Sequence, residues 1–182
     1  YELAALADSS DGATGWYRDW IGTRDTANHY IEISEEGSED PGALHIYSAG
    51  EDSDKSDMMA TIFQHIAAGT YTIKMQVKGT VALTDQCFRF ERAGSDSYIY
   101  DIVTQKEYSD WTEISGTFET DEAYYYAIRY SQFNWATNFY IDNIRILDAN
   151  GVDVLGGKGN FAKTYELAAL ADSSDGATGW YR

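Results

Sequence analysis

The sequence predicts an all-β domain, a sandwich of two antiparallel sheets built from about nine strands. Three observations carry that prediction. Apolar and polar residues alternate with period two in one segment after another, turn residues separate those segments, and 182 residues give room for one ordinary domain with a single core.

The first two strands fall at 29–34 and 43–48, on either side of an acidic loop that holds the only proline, Pro41. A third covers 58–66, after the acidic run of Glu51, Asp52, Asp54 and Asp57. Ala67-Ala68-Gly69 then turns the chain into 70–78, where Tyr71, Ile73, Met75 and Val77 share one face and Thr72, Lys74, Gln76 and Lys78 the other. That is the pattern of a half-buried strand. Further strands follow at 86–92, 98–103, 112–119, 123–130 and 139–147. Only 1–7 and 165–171 have helical spacing, with Leu3 and Leu6 three apart among alanines, before the turn-rich Asp8-Ser9-Ser10-Asp11-Gly12. A short helix or a loop fits there.

Residues 1–18 recur without change as residues 165–182, so Tyr165 stands 164 positions after Tyr1. A period of that length is the size of a free-standing domain, which points to a tandem array of modules rather than a solenoid. An engineered duplication that restores a missing first strand is the competing explanation. Gly159-Asn160-Phe161-Ala162-Lys163-Thr164 leads into the second copy and has no counterpart before Tyr1, so the chain is expected to begin inside a module. Gly151, Gly156, Gly157 and Gly159 suggest a linker. The expected organisation is therefore a sandwich module over 1–150 lacking its own first strand, a glycine-rich linker and first-strand segment over 151–164, and the start of the next repeat over 165–182. Residues 151–164 must either fold back onto the preceding module or join the next one, and strand donation between neighbours would couple an array.

Thirteen Lys and Arg stand against 30 Asp and Glu, a formal charge of −17. Such a chain repels phosphate backbones and anionic headgroups, which excludes nucleic acid and membrane surfaces as partners. No apolar run approaches the roughly 18 residues that cross a bilayer. The acidic excess, on a chain with 15 Tyr and 5 Trp, points to an extracellular or cell-surface protein, with an acid-rich halophilic cytosol as the lesser alternative. Cys87 is alone, between strand residues, and reads as an unreactive thiol.

Several segments, taken in order, resemble the carbohydrate-binding modules of families 4/9, 16 and 22. Gly159-Asn160-Phe161 resembles their opening Asn-Gly-Asp-Phe-Glu strand, and Gly15-Trp16 the Gly-Trp that follows. Gln64-His65-Ile66, Gly69-Thr70-Tyr71-Thr72, Trp111-Thr112 and Gly116-Thr117-Phe118 resemble further landmarks. Phe139-Tyr140-Ile141-Asp142-Asn143-Ile144 resembles the closing strand. The resemblance implies a jelly-roll β-sandwich, of the type attached to extracellular polysaccharide-degrading enzymes, with Trp16 and Trp111 at core positions. It also implies a structural calcium held by acidic groups of the first and last strands. Here the first-strand acid is replaced by Ala162, leaving Asp142 as the metal candidate. A carboxylate inside an apolar strand needs a cation or several hydrogen bonds, and both remain open.

A sugar-binding surface needs aromatic platforms flanked by planar polar groups. Strand parity places Tyr124, Tyr126, Ile128 and Tyr130 inside and Tyr125 and Arg129 outside; it places Phe88 and Phe90 inside and Arg89 and Glu91 outside. Trp20 and Trp135 read as loop residues. The expected carbohydrate-binding set is therefore Trp20, Arg89, Tyr125, Arg129 and Trp135, with packing between modules the competing role for the same rings. No catalytic residue is predicted. Gly-x-Ser-x-Gly, His-Glu-x-x-His and glycine-rich phosphate loops are all missing, and His29, His45 and His65 are scattered. Asp52-Ser53-Asp54-Lys55-Ser56-Asp57 lacks the Gly and closing Glu of a calcium loop and reads as a solvated acidic loop. The expected partners are neighbouring identical repeats and polysaccharide.

Overall fold

The computed structural model describes residues 17–21, 28–50, 57–82, 84, 88–92, 98–131 and 136–161. Among them are ten strands: β1 (Tyr17–Ile21), β2 (His29–Ser34), β3 (Ala43–Ser48), β4 (Asp57–Ile66), β5 (Gly69–Thr80), β6 (Phe88–Arg92), β7 (Tyr98–Asp101), β8 (Glu107–Thr120), β9 (Tyr124–Ser131) and β10 (Thr137–Leu147). They form two five-stranded sheets, ordered β1-β4-β9-β6-β7 and β2-β3-β10-β5-β8, with every strand pair antiparallel. The all-β sandwich is the one the alternation predicts. The helical spacing of 1–7 and 165–171, the Asp52–Asp57 loop short of Asp57, Cys87 and Ala162 lie outside the described residues.

Alternation decides what each strand buries. In β5, Tyr71, Ile73, Met75 and Val77 are buried while Thr72, Lys74, Gln76 and Lys78 are half-buried on the outer face. Ile31 and Ile33 of β2, Leu44 and Ile46 of β3, Ile62 and Ile66 of β4, and Phe88 and Phe90 of β6 complete the same inner layer. Aromatic rings join the two sheets. Phe90 of the first sheet lies 4.3 Å from Phe118 of the second and stacks at 4.9 Å on Tyr126, and Tyr71 stacks on Phe118 at 5.8 Å. Contacts of this kind add about 0.5–1.5 kcal/mol per pair beyond the area they bury.

β10 breaks its own period and remains inside. Ile141 and Ile144 are three apart, opposite faces for a regular strand, yet both are buried. A register shift against β5 between Asp142 and Arg145, with Asn143 at φ 50°, inserts the extra residue that brings Ile144 back inward. Asn is among the few residues other than glycine that tolerate this conformation. Gly79 is needed for a different reason. At φ 104° in β5, a Cβ there would fall 2.0 Å from the Asn138 carbonyl oxygen of β10.

Residues 151–161 fold back onto this sandwich, the first of the two dispositions the sequence leaves open. Asp148 begins the return: its carboxylate accepts the Asn150 and Val152 amides at 2.8 and 2.9 Å. Asp153 continues it by accepting the amides of Ile146, Leu155 and Gly157 at 3.0–3.1 Å. Leu155 and Phe161 are then buried in the core, each 1% exposed. Between them the Ile144 amide donates to the Gly159 carbonyl at 2.9 Å, and a Cβ on Gly159 would fall 2.0 Å from the Ile144 carbonyl oxygen. Glycine is the residue that permits this approach.

Candidate functional site

The outer face of the first sheet holds three of the positions nominated from the sequence. Cross-strand register lines up Tyr17, Thr61, Arg129, Arg89 and Asp101, one from each strand of β1-β4-β9-β6-β7. Arg89 and Arg129 are direct cross-strand partners. A parallel row runs Phe63, Ala127 and Glu91, and the next pairs His65 with Tyr125. The fold therefore places three of the five nominated positions on one face of one sheet. Tyr125 and Arg129 lie four residues apart in β9, about 13 Å along the strand.

Tyr125 is 59% exposed and meets the His65 ring edge-on at 5.1 Å. An exposed phenol ring supported from one side can act as a stacking platform. Arg89 is half-buried, with its Nε 3.9 Å from a Glu91 carboxylate oxygen. Glu91 itself is only 5% exposed, so the outward position expected for it is covered; a register shift between Phe90 and Glu91 accompanies this. Tyr124 departs in the other direction. It sits at the start of β9, is 38% exposed, and carries the Arg92 guanidinium 4.2 Å over its ring. Tyr126 takes the expected inward place, and burial pushes its phenol pKa up. Its hydroxyl donates to the Glu122 carbonyl at 3.0 Å.

Trp20 is a strand residue rather than a loop residue. It lies in β1 opposite Met58, at a register position with the parity of buried Ile62 and not of Thr61 and Arg129. Trp135 lies outside the described residues. Trp111, expected in the core, is instead half-buried on the outer side of the second sheet, edge-on to Tyr140 at 6.3 Å.

Asp142 is 2% exposed and fully engaged in hydrogen bonds. One carboxylate oxygen accepts both the amide and the hydroxyl of Ser38, at 2.9 and 2.8 Å, and the other accepts the Asn143 amide at 2.7 Å. The Asn143 side chain closes the ring by donating to the Ser38 hydroxyl at 2.9 Å. Among the described residues there is no group of three or more His, Cys, Asp or Glu side chains placed to hold a metal ion.

No family model matches the chain, and no curated protein does. Among solved structures, a candidate sugar-binding protein from Bacteroides thetaiotaomicron superposes with a TM-score of 0.50 at 13% identity, over 80% of this chain and 94% of that one. The likeness is to the two-sheet β-sandwich fold. Two further similar structures are the CBM22-1 xylan-binding domain from Paenibacillus barcinonensis Xyn10C and the enzymatically active domain of bacteriophage CBA120 tailspike protein 4. The first has a TM-score of 0.45 at 16% identity over 71% of this chain and 83% of that one. The second has a TM-score of 0.49 at 10% identity over 79% of this chain and 21% of that one. The module thus spans about a fifth of the tailspike chain. At these identities the likeness is one of fold, and what the module does has to be argued from its own surfaces.

Proposed function

We propose that the chain is a non-catalytic repeat unit of an extracellular tandem-repeat protein, a stalk, adhesin or filament, in which neighbouring modules exchange the segment that closes the sandwich. The supporting observation is the placement of residues 155–161. Leu155 and Phe161 fill the core, and Gly159 lies directly against Ile144. Only four positions after Phe161, Tyr165 begins the unchanged copy of residues 1–18. The plug of one sandwich is therefore also the lead into the next copy, and an equivalent plug from another chain would meet the same slot. Segments that swap identical contacts between protomers give oligomers at low energetic cost. Refolding from denaturant over a range of protein concentrations tests this. Exchange gives a share of oligomers that rises with refolding concentration in light scattering; monomers alone at every concentration would sink the idea.

A second reading is polysaccharide binding on the outer face of the first sheet, favoured by the exposed Tyr125 ring and the cross-strand pair Arg89 and Arg129. A ring platform with planar hydrogen-bond donors is what a sugar chain requires. Retardation of the protein in gels containing polysaccharide, lost in Tyr125→Ala and weakened in Arg89→Ala, is the expected result. Equal mobility of wild type and both variants across all polymers would remove it. The two readings are compatible, because repetition of weak sites raises avidity.

A further inference from the structure

The outer face of the second sheet carries a set of rings that neither the core nor the first sheet uses. Tyr30 of β2 and Tyr47 of β3 are cross-strand partners and stack at 5.1 Å. Tyr30 also meets His45 of β3 edge-on at 5.3 Å, and His45 lies parallel to Tyr140 of β10 at 4.1 Å. Tyr140 in turn meets Trp111 of β8 edge-on at 6.3 Å. The run passes from one edge strand of the sheet to the other. Four inter-strand steps make that about 19 Å.

Packing does not explain this row. Tyr30, Tyr47, Trp111 and Tyr140 are half-buried and stand outside the core, and only His45, at 7% exposed, is largely covered. On β5, which the row crosses, the outer positions are Thr72, Lys74, Gln76 and Lys78, the ordinary dress of a solvated strand face. The aromatic residues are concentrated where that pattern is abandoned. Single exposed rings are common on proteins, whereas a contiguous run across a whole sheet marks an interaction surface.

The charges around the row identify the kind of partner. Lys78 pairs with Glu36, Lys74 with Glu113 at 3.3 Å, Arg145 with the same Glu113 at 3.6 Å, and His45 lies 3.7 Å from Glu32. Lys78, Lys74 and Arg145 each lie against an acid, the last two sharing Glu113, so the strip offers little positive field to an anionic ligand. The chain as a whole carries −17, so a second copy laid flat against this face meets net repulsion. What remains complementary is an uncharged partner with apolar ring faces and many hydroxyls. Polar groups for it are at hand. Exposed Asn138 accepts or donates through an amide whose oxygen is 2.9 Å from His45 Nε2, and the Tyr30 and Tyr140 phenols are held neutral by burial and by the nearby Glu32 and Glu36.

We propose that this strip is a second glycan-binding surface, which takes a neutral polysaccharide chain laid across the strands on the side of the sandwich opposite Arg89 and Tyr125. Affinity electrophoresis of the full chain tests it, with hydroxyethylcellulose, galactomannan and neutral arabinoxylan as probes and polygalacturonate as the anionic control. Wild type and Val152→Ala should be retarded by at least one neutral polymer, and Trp111→Ala should weaken that retardation about tenfold. Tyr140→Phe keeps the stacked ring and removes only the hydroxyl, so it should show a smaller loss in a protein that still folds. Trp111→Phe should recover part of the affinity. Four outcomes overturn the proposal: no neutral polymer retards the wild type, polygalacturonate alone does, Trp111→Ala matches wild type, or Trp111→Ala alters sedimentation without altering retardation. If Tyr125→Ala abolishes all retardation while Trp111→Ala abolishes none, the strip is excluded and binding on the first sheet stands.

Discussion

Replacing Phe161 with Ala asks whether the returning segment belongs to the core or merely lies against it. The ring is 1% exposed, so its loss removes a full aromatic side chain from a packed interior. Truncations of this type cost about 3–5 kcal/mol, the transfer energy of the ring plus the cavity left behind. For a chain of this size each kcal/mol moves the thermal midpoint by about 2–4 °C, so the expected drop is roughly 6–20 °C. Against a total stability of about 5–15 kcal/mol, that is a large share. The assay is thermal and urea denaturation followed by far-ultraviolet circular dichroism, with Val152→Ala as the reference. Val152 is 60% exposed in the same segment, and its truncation should stay within about 0.5 kcal/mol. A Phe161→Ala variant as stable as Val152→Ala would refute the reasoning, because the segment would then be a tether and the slot would have no need of a plug.

Gly159→Ala should act through sterics alone: a Cβ 2.0 Å from the Ile144 carbonyl forces the segment off β10, and hydrogen exchange at the Ile144 amide should speed up. Asp142→Asn keeps the size of the side chain but cannot accept on both atoms. It should lose one of the bonds from Ser38 or Asn143, lowering stability by about 1.5–3 kcal/mol in urea titration. Because those donors already satisfy both carboxylate oxygens, the thermal midpoint of the wild type should be the same in chelator and in calcium; a rise with calcium would return the cation to this site. Asp148 predicts an acid-sensitive turn. The Val152 amide, followed by Asn150 and Gly151, holds its pKa below the ordinary carboxylate value. The stability it contributes is therefore complete above that ordinary value and is lost as pH falls through the depressed one. Exchange at residues 150–152 should rise in that window in wild type and at all pH values in Asp148→Asn.

The sequence is most legible where one physical requirement acts alone. β2 and β3 fall at their expected limits, and β5 shows its two faces residue by residue, because one side of each meets a core. β1 escapes, since Tyr17-Arg18-Asp19-Trp20-Ile21 has no clean alternation and only its pairing with β4 makes it a strand. The same gap turns Trp20 from an expected loop residue into a strand residue. β8 begins five residues earlier than 112, at Glu107, because its partner β5 extends to Thr80 and the bulge near Gly79 lets pairing continue. Of the candidate site, parity correctly separates Tyr125 from Tyr126, while Glu91 and Tyr124 miss because a register shift and a strand end override period two. The aromatic row on the second sheet is invisible in one dimension: Tyr30, His45, Trp111 and Tyr140 lie on four strands, and only sheet order makes them neighbours.

The docking of Gly159 beside Ile144 also decides where a mechanical load would enter. β10 is the middle strand of its sheet, flanked by β3 and β5. Traction on residue 161 is borne first by the buried ring and the Ile144 amide, then shared by hydrogen bonds on both sides of a central strand. Rupture there has to shear two ladders together, whereas a pull on edge strand β2 or β8 could unzip one bond at a time.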